Sequence, residues 1–480
     1  MKWIAGSVAA VLGAETPVGI AGDFCFSGIC SDSRKILPGS LFLPLCGERF
    51  NGCDFAEEAL KKGAAAVVWP RADAGERSLP EAAACRAFFV ESSLKAHLAL
   101  SQANLKASGA RTAGITGSVG KTTTKDLLRS LLASKYKVKA TLANHNSETG
   151  LAEMLMSLDP SYDIAIAEMG MRGFGQVAEL AKIVSPEVSV ITTIGESHLE
   201  LLGSRRNIAL AKAEILDWAA EDSAAVLPAD SDFFELLCEH AKGRIVSFGI
   251  NNEKADFRLL DTEVSKAFRE AEEGVRRIVF GQKVRFASPS GEHTVFLPLP
   301  GLHNCANFLA AAAAAVCLGM SIPEIDAALA GCSLTEKRLQ TEIFADGTVI
   351  IDDSYNAAPA SVKAALRLLP ELKDVCGRSI AVLGDMKELG ENEKAMHAEL
   401  GRACRECGVD ILAAVGELSR CLMQSAEAEG IAAFWCADWQ EAADKVSELM
   451  KPGDCILIKA SHSMELDKTA EALRWVLKQN

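Results

Sequence analysis

The chain has 480 residues, which at about 150 per domain allows roughly two to four domains. With 49% hydrophobic and 24% charged residues it carries too much apolar side chain to remain disordered as a whole. Its net charge of −14 argues against a broad nucleic-acid or anionic-membrane surface, while leaving room for a local phosphate pocket.

In chain order, Met1 to Ala14 places one Lys before an apolar run, the pattern of a signal peptide or of a first helix packed on its own domain. The glycines inside that run favour the packed helix. Short apolar runs at Leu41–Leu45 and Ala64–Trp69 follow, broken by turns. A helical stretch from Ser92 to Lys106 then runs into the turn Ser108 to Arg111, a first domain boundary.

From Thr112 the pattern becomes strand, Gly-rich turn and helix, repeated. Ile164–Ala167 and Val188–Ile194 read as strands, and the stretches after Lys121 and Asn207 as helices. Such alternation predicts a parallel sheet covered on both faces. Between Asn251 and Pro300 the expectation is short strands forming an inserted hairpin sheet, followed by a helical Ala run from Asn304 to Leu318. The best membrane candidate, Phe308 to Met320, is shorter than the roughly 20 apolar residues a span requires.

A second boundary falls near Gly331 to Glu336, after which the alternation resumes. Strands are expected at Val349–Asp353, Ser379–Gly384, Ile411–Gly416 and Cys455–Ala460. Helices are expected at Ser361–Leu369, Lys394–Cys407 and Ala437–Met450. The fold class is therefore α/β in three domains, 1–108, 109–333 and 334–480. The middle one is a parallel-sheet domain with a phosphate loop, the last a Rossmann-like, doubly wound unit. The 15 cysteines are scattered, with only Cys404 and Cys407 in C-x-x-C spacing and no matching ligands elsewhere. They read as buried thiols in a reducing cytoplasm rather than as a metal or redox site.

The most specific motif is Thr116-Gly-Ser-Val-Gly-Lys-Thr-Thr123. A Gly-rich turn opening a helix presents backbone N–H groups and the positive end of the helix dipole to a phosphate. Lys121 can reach the outer phosphates and the Thr122 hydroxyl can ligate Mg²⁺. Ile115 stands where the full motif has its first Gly. Glu168 closes an apolar run, so its carboxylate is expected at the carboxyl edge of the sheet; alone it could equally be a helix N-cap charge. His198 follows the next strand and alone reads as a loop histidine. With the phosphate loop the two make a Mg²⁺ set. Lys212, flanked by alanines, reads from its local sequence as a solvated surface lysine.

Together these stretches resemble the ATP-dependent Mur ligases of peptidoglycan synthesis. The resemblance runs through Asp32-Ser-Arg34, Gly47-Glu-Arg-Phe-Asn-Gly52, Thr116–Thr123, Asn144-His-Asn-Ser-Glu-Thr-Gly150 and Glu168-Met-Gly170. It continues through His198-Leu-Glu200, Ala211-Lys-Ala-Glu-Ile215, Gly301-Leu-His-Asn-Cys-Ala-Asn307 and Lys337-Arg-Leu339. Asp352-Asp-Ser-Tyr-Asn356, Leu383-Gly-Asp-Met-Lys-Glu-Leu-Gly390 and Lys459-Ala-Ser-His462 complete it, and the first two of these are typical of the member that adds a dipeptide.

The resemblance implies a ligase that joins D-alanyl-D-alanine to UDP-N-acetylmuramoyl-tripeptide through an acyl phosphate, acting as a cytoplasmic monomer without nucleic-acid or membrane partners. It places the UDP-sugar on the first domain, with Ser33, Arg34 and Arg49 as candidates. ATP would lie on Gly117, Ser118, Val119, Gly120, Lys121, Thr122 and Thr123, with Asn307 near the adenine, Arg338 at the phosphates and Asp353 at the ribose. Lys121, His198, Lys212 and Arg338 would be catalytic. Thr122, Glu168, His198 and Lys212 would hold Mg²⁺, as two ions, with Lys212 carbamylated by CO₂. That role reverses the surface reading of Lys212. Asn146, Lys459 and Ser461 would bind substrate. The chain departs from the family pattern at Cys53, usually His, at Ala358, usually Asn, and at Ala460 and His462, usually Gly and Arg.

Overall fold

The computed structural model describes residues 2–46, 50–142, 146–270, 276–329, 339–387 and 389–479. The helix Ala5–Leu12 buries Ala5, Val8 and Ala9 and ends at Gly13, whose φ of 61° suits a residue without Cβ. Among the described residues, the first unit has a parallel sheet in the order Ile29–Cys30, Leu41–Phe42, Ala66–Pro70 and Ala87–Val90. The helix Ser93–Ser108 packs against it and terminates at Gly109, at φ 72°.

The central parallel sheet runs in space through Val138–Ala140, Ile164–Glu168, Arg111–Thr116, Val188–Ile191, Ala224–Pro228 and Arg244–Gly249. These strands are near-continuous apolar runs because helices cover both faces. One face packs on Lys121–Leu132 and on the Ala-rich helix Leu302–Cys317, whose residues Ala310 to Ala315 are all buried. The other packs on Gln176–Val184 and Arg205–Asp217. The expected short strands between Asn251 and Pro300 are instead two long antiparallel ones, Phe257–Glu270 and Arg276–Ser288, with Gly291–Leu297 beside the second. Alternating apolar residues seat this ribbon on the Ala-rich helix: Val284, Phe286, Val295 and Leu297 share its core.

The last unit has parallel strands in the order Ala432–Cys436, Ile411–Val415, Ser379–Gly384, Cys455–Lys459 and Val349–Asp352, with Gln340–Ile343 antiparallel at the end. Helices lie on both faces, and Glu393–Glu406 carries Cys404 at its buried side, with Cys407 just past its end. Burial pushes the Cys404 thiol up to about 12, as expected of an inert buried thiol. Among the described cysteines only Cys25 and Cys85 are exposed. The expected boundary near Gly331 to Glu336 lies outside the described residues. No described helix is long and apolar enough to cross a membrane.

Candidate active site

In parallel sheets the loops beyond the carboxyl ends of the strands converge; here the central and last units, joined through Arg276–Ser288 and Gln340–Ile343 into one sheet, both line one cleft with theirs. Between them lies a cleft of about 970 Å³, lined from one side by the phosphate loop, Glu168, His198 and Lys212, and from the other by Asp353, Lys459 and Ser461.

The loop 117–120 joins the strand Arg111–Thr116 to the helix Lys121–Leu132. Gly117 (φ 150°) and Gly120 (φ 89°) are obligatory: a Cβ on the first would collide with the Thr192 hydroxyl and on the second with Oδ1 of Asn307. The loop is tied to the neighbouring strand end by Ser118 N donating to Thr193 O (2.9 Å) and Gly195 N to Ser118 Oγ (2.9 Å). Lys121 Nζ donates to Gly117 O at 2.8 Å, folded back over the loop it would share with a phosphate. Ile115, where the full motif has Gly, is a buried core residue of the strand.

Glu168 is the last residue of Ile164–Glu168 and is 1% exposed. It caps no helix, since the next one starts at Gln176. Its Oε1 accepts from Thr122 Oγ1 (3.1 Å) and Asn146 Nδ2 (3.3 Å). Its Oε2 has no hydrogen-bond partner and lies 3.4 Å from the ammonium of Lys125. A buried carboxylate with one oxygen engaged only by an ion pair, beside a threonine hydroxyl, suits a hard cation such as Mg²⁺. No three His, Cys, Asp or Glu side chains converge among the described residues, so most ligands would be phosphate oxygens and water.

His198 sits at the start of the short helix Leu199–Leu202 with φ 66°, a left-handed conformation. Lys212 is not a surface residue: it is 2% exposed on Arg205–Asp217, a helix N-capped by Ser204. Ala209, Ala211 and Ala213 are buried with it, and their small side chains let the helix approach the sheet closely. Burial, reinforced by the charge of Lys121, holds the Lys212 ammonium well below its ordinary pKa. The flanking alanines were the sequence signal of this packing.

Asn307 stands over Gly120 rather than apart from the loop, and its Oδ1 accepts from Thr124 Oγ1 at 3.4 Å. Asp353 and Lys459 form a buried pair at 2.6 Å, and Lys459 also donates to Asn356 O at 2.8 Å. Ser461 Oγ accepts from Lys387 N at 2.9 Å. Ala460 is buried against Gly384, and His462 lines the cleft with its ring 6.1 Å from that of Tyr355.

Ser33 is buried and Arg34 exposed on the turn Ser33–Lys35 of the first unit, away from the cleft. Arg34 hydrogen bonds hold the Asp32 carboxyl down at about 2. Arg49 and Arg338 lie outside the described residues. Cys53, at the first unit's departure from the family pattern, is buried with its Sγ 3.9 Å from that of Cys46. Sequence reasoning missed Lys125 and Asp126, buried beside Glu168, and assigned no role to Lys387. Lys125 is four residues beyond Lys121 on one helix, a spacing that places both on one face.

Family comparison matches residues 26–107 to the Mur ligase family catalytic domain, 115–315 to the Mur ligase middle domain, and 337–462 to the Mur ligase glutamate ligase domain. The UDP-N-acetylmuramoyl-tripeptide–D-alanyl-D-alanine ligase of Bacillus subtilis (strain 168) is 35% identical over 93% of this chain and 93% of its own. The crystal structure of MurF from Acinetobacter baumannii superposes with a TM-score of 0.84 at 27% identity, covering 100% of this chain and 99% of that one. MurF ligase from Thermotoga maritima, solved in complex with ADP, gives 0.77 at 27% identity over 94% and 98% of the two chains. The chain belongs to the Mur ligase family.

Proposed function

We propose that this protein is the ATP-dependent ligase that joins D-alanyl-D-alanine to UDP-N-acetylmuramoyl-tripeptide in peptidoglycan precursor synthesis. The observation that carries the reading is the two-sided cleft: a phosphate loop with a buried carboxylate on one wall, and the cations Lys459 and Lys387 on the other. Relatives bearing that name, similar over nearly their whole length, support the choice of substrates.

A carboxylate is a poor acyl donor because its oxygen leaves badly. The tripeptide's terminal carboxylate attacks the γ-phosphorus of ATP, ADP departs, and an acyl phosphate forms. The dipeptide amine then attacks the acyl carbon, releasing inorganic phosphate and a proton. The 117–123 backbone N–H groups and Lys121 hold the phosphates and stabilise charge gathering on the γ-phosphoryl oxygens. Arg338 would join them from the last unit. Thr122, Glu168 and His198 would hold Mg²⁺, which when bound neutralises phosphate charge.

Lys212 is suited to carbamylation because its depressed pKa leaves a neutral amine that can add CO₂, with loss of a proton. The carbamate turns a cation into an anion, able to hold a second Mg²⁺. Asn307 and Asp353 would contact the nucleoside end of ATP, and Asn146 the peptide. Lys387, half-exposed in the cleft beside Ser461 and His462, offers positive charge to the dipeptide carboxylate. Ser33, Arg34 and Arg49 would hold the UDP-sugar. The three domains are assigned to 1–108, 109–333 and 334–480, in a cytoplasmic monomer.

The test is phosphate release from ATP with UDP-N-acetylmuramoyl-tripeptide, with and without D-alanyl-D-alanine, alongside single D-amino acids and Glu. Release requiring both the nucleotide and the dipeptide is expected. Release with a single amino acid instead would keep the ligase chemistry and reassign the amine, implicating Ala460 and His462. ATP binding without release for any pair would favour a regulatory nucleotide-binding protein.

A further inference from the structure

Behind the last unit's wall of the cleft lies a histidine that touches no cleft surface, and we propose that His397 is a positioning residue for the amine substrate, acting through the turn Asp385–Lys387. The role rests on the ligase reading above.

His397 lies on the helix Glu393–Glu406 and is 0% exposed. Its Nδ1 is 2.6 Å from the carbonyl oxygen of Glu393, one helical turn back, and its Nε2 is 2.9 Å from the backbone N of Met386. A carbonyl only accepts and a backbone N–H only donates. The partners therefore fix the tautomer: Nδ1 carries the hydrogen, and Nε2 is the acceptor for Met386.

The turn so held forms part of the wall of the cleft. Lys387 N donates to Ser461 Oγ (2.9 Å) and Ser461 N to Asp385 O (3.1 Å), joining the loops that follow two adjacent strands. Asp385 Oδ1 accepts from Ser419 N (2.9 Å) and Oγ (3.0 Å), while its Oδ2 takes the Lys387 ammonium at 2.9 Å. The aim of Lys387 into the cleft thus depends on the turn's backbone, and the backbone N–H at the centre of the turn is held by the imidazole. Without that acceptor the Met386 N–H is left buried and unpaired, and the turn must rotate to satisfy it.

Two variants of the full chain separate positioning from bulk. His397→Phe keeps a ring but no acceptor, and His397→Gln restores an acceptor through Oε1. We expect His397→Phe to raise the KM for D-alanyl-D-alanine about tenfold, as loss of a buried acceptor implies, and His397→Gln to recover most of it. The KM for ATP should stay within about twofold, since the phosphate loop is on the other wall. Equal rises for both substrates, or a lower melting temperature with no change in KM, would overturn the proposal. If the wild type uses another amine, that amine enters the same comparison. Amide hydrogen exchange at Met386 and Lys387 gives a readout independent of ligation. It should quicken in His397→Phe and be restored in His397→Gln, and unchanged exchange in His397→Phe would sink the inference even in a chain that ligates nothing.

Discussion

Burying a lysine destabilises the fold that contains it, because the side chain must shed its charge or its hydration, and Lys212 is such a group. Because its pKa is depressed in the folded state, the unfolded chain binds more protons between that depressed value and the ordinary value near 10.5. Stability therefore rises with pH across that window. Lys212→Met should raise stability by about 1–2 kcal/mol near neutral pH and abolish ligation, a trade expected of a functional residue held in an unfavourable setting. Thermal melts and phosphate release check the two halves, and added short carboxylates should partly rescue Lys212→Ala. Lys121→Ala should reduce turnover about a thousandfold or more, with normal activity removing the phosphate-loop assignment. His97 shows the same sign outside the site: burial holds it down at about 4, and its Nδ1 is unpaired. The unfolded chain takes up a proton below about 6.5, so stability is lost as pH falls from there toward about 4, by about 3 kcal/mol. His97→Leu should flatten that limb in urea melts taken across the range. The alanines flanking Lys212 carry the signal of close packing, yet nothing local in the sequence shows the sheet above them.

At the scale of elements, the phosphate loop was legible because its chemistry is local: Gly117, Gly120 and Lys121 lie within one turn and the helix it opens. Gly120→Ala should abolish ATP binding, since that position has φ 89° and its Cβ would meet Asn307; calorimetric titration reads it directly. The strand Ser379–Gly384 and the Ala-rich helix were equally clear from composition. The inserted hairpin was legible but the length of its strands was not, because the charged stretch from Arg269 to Gly274 interrupts the alternation in the sequence. The Ala run also fixes a clearance. Ala312 is fully buried between sheet and neighbouring helix, so Ala312→Leu should destabilise by about 1–3 kcal/mol through overpacking, seen as a lower urea midpoint. Arg474 was invisible as an element-joining residue. It reaches from the last helix to Glu342 at 2.5 Å and Asp352 at 3.0 Å, a contact across well over a hundred positions of chain.

At the scale of the whole molecule, the sequence displayed the contents of each wall of the cleft but not which residues face one another. Glu168 ends a strand, His198 lies on a loop and Lys212 on a helix, while Lys459 and Asp353 come from strand ends at the far part of the same continuous sheet. Their convergence follows from parallel topology, which sends every carboxyl end to one side. His397 escaped notice although Met386 lies in a quoted motif, because no local pattern shows that its ring accepts the Met386 N–H across the start of the helix. The thiols have a practical consequence at this scale. Among the described cysteines only Cys25 and Cys85 are exposed, so of these the first unit's thiols would take a maleimide dye first. With one of the two thiols removed, a donor on the other and an acceptor at Trp475, 66% exposed on the last helix, would turn the separation of the first and last units into an optical distance.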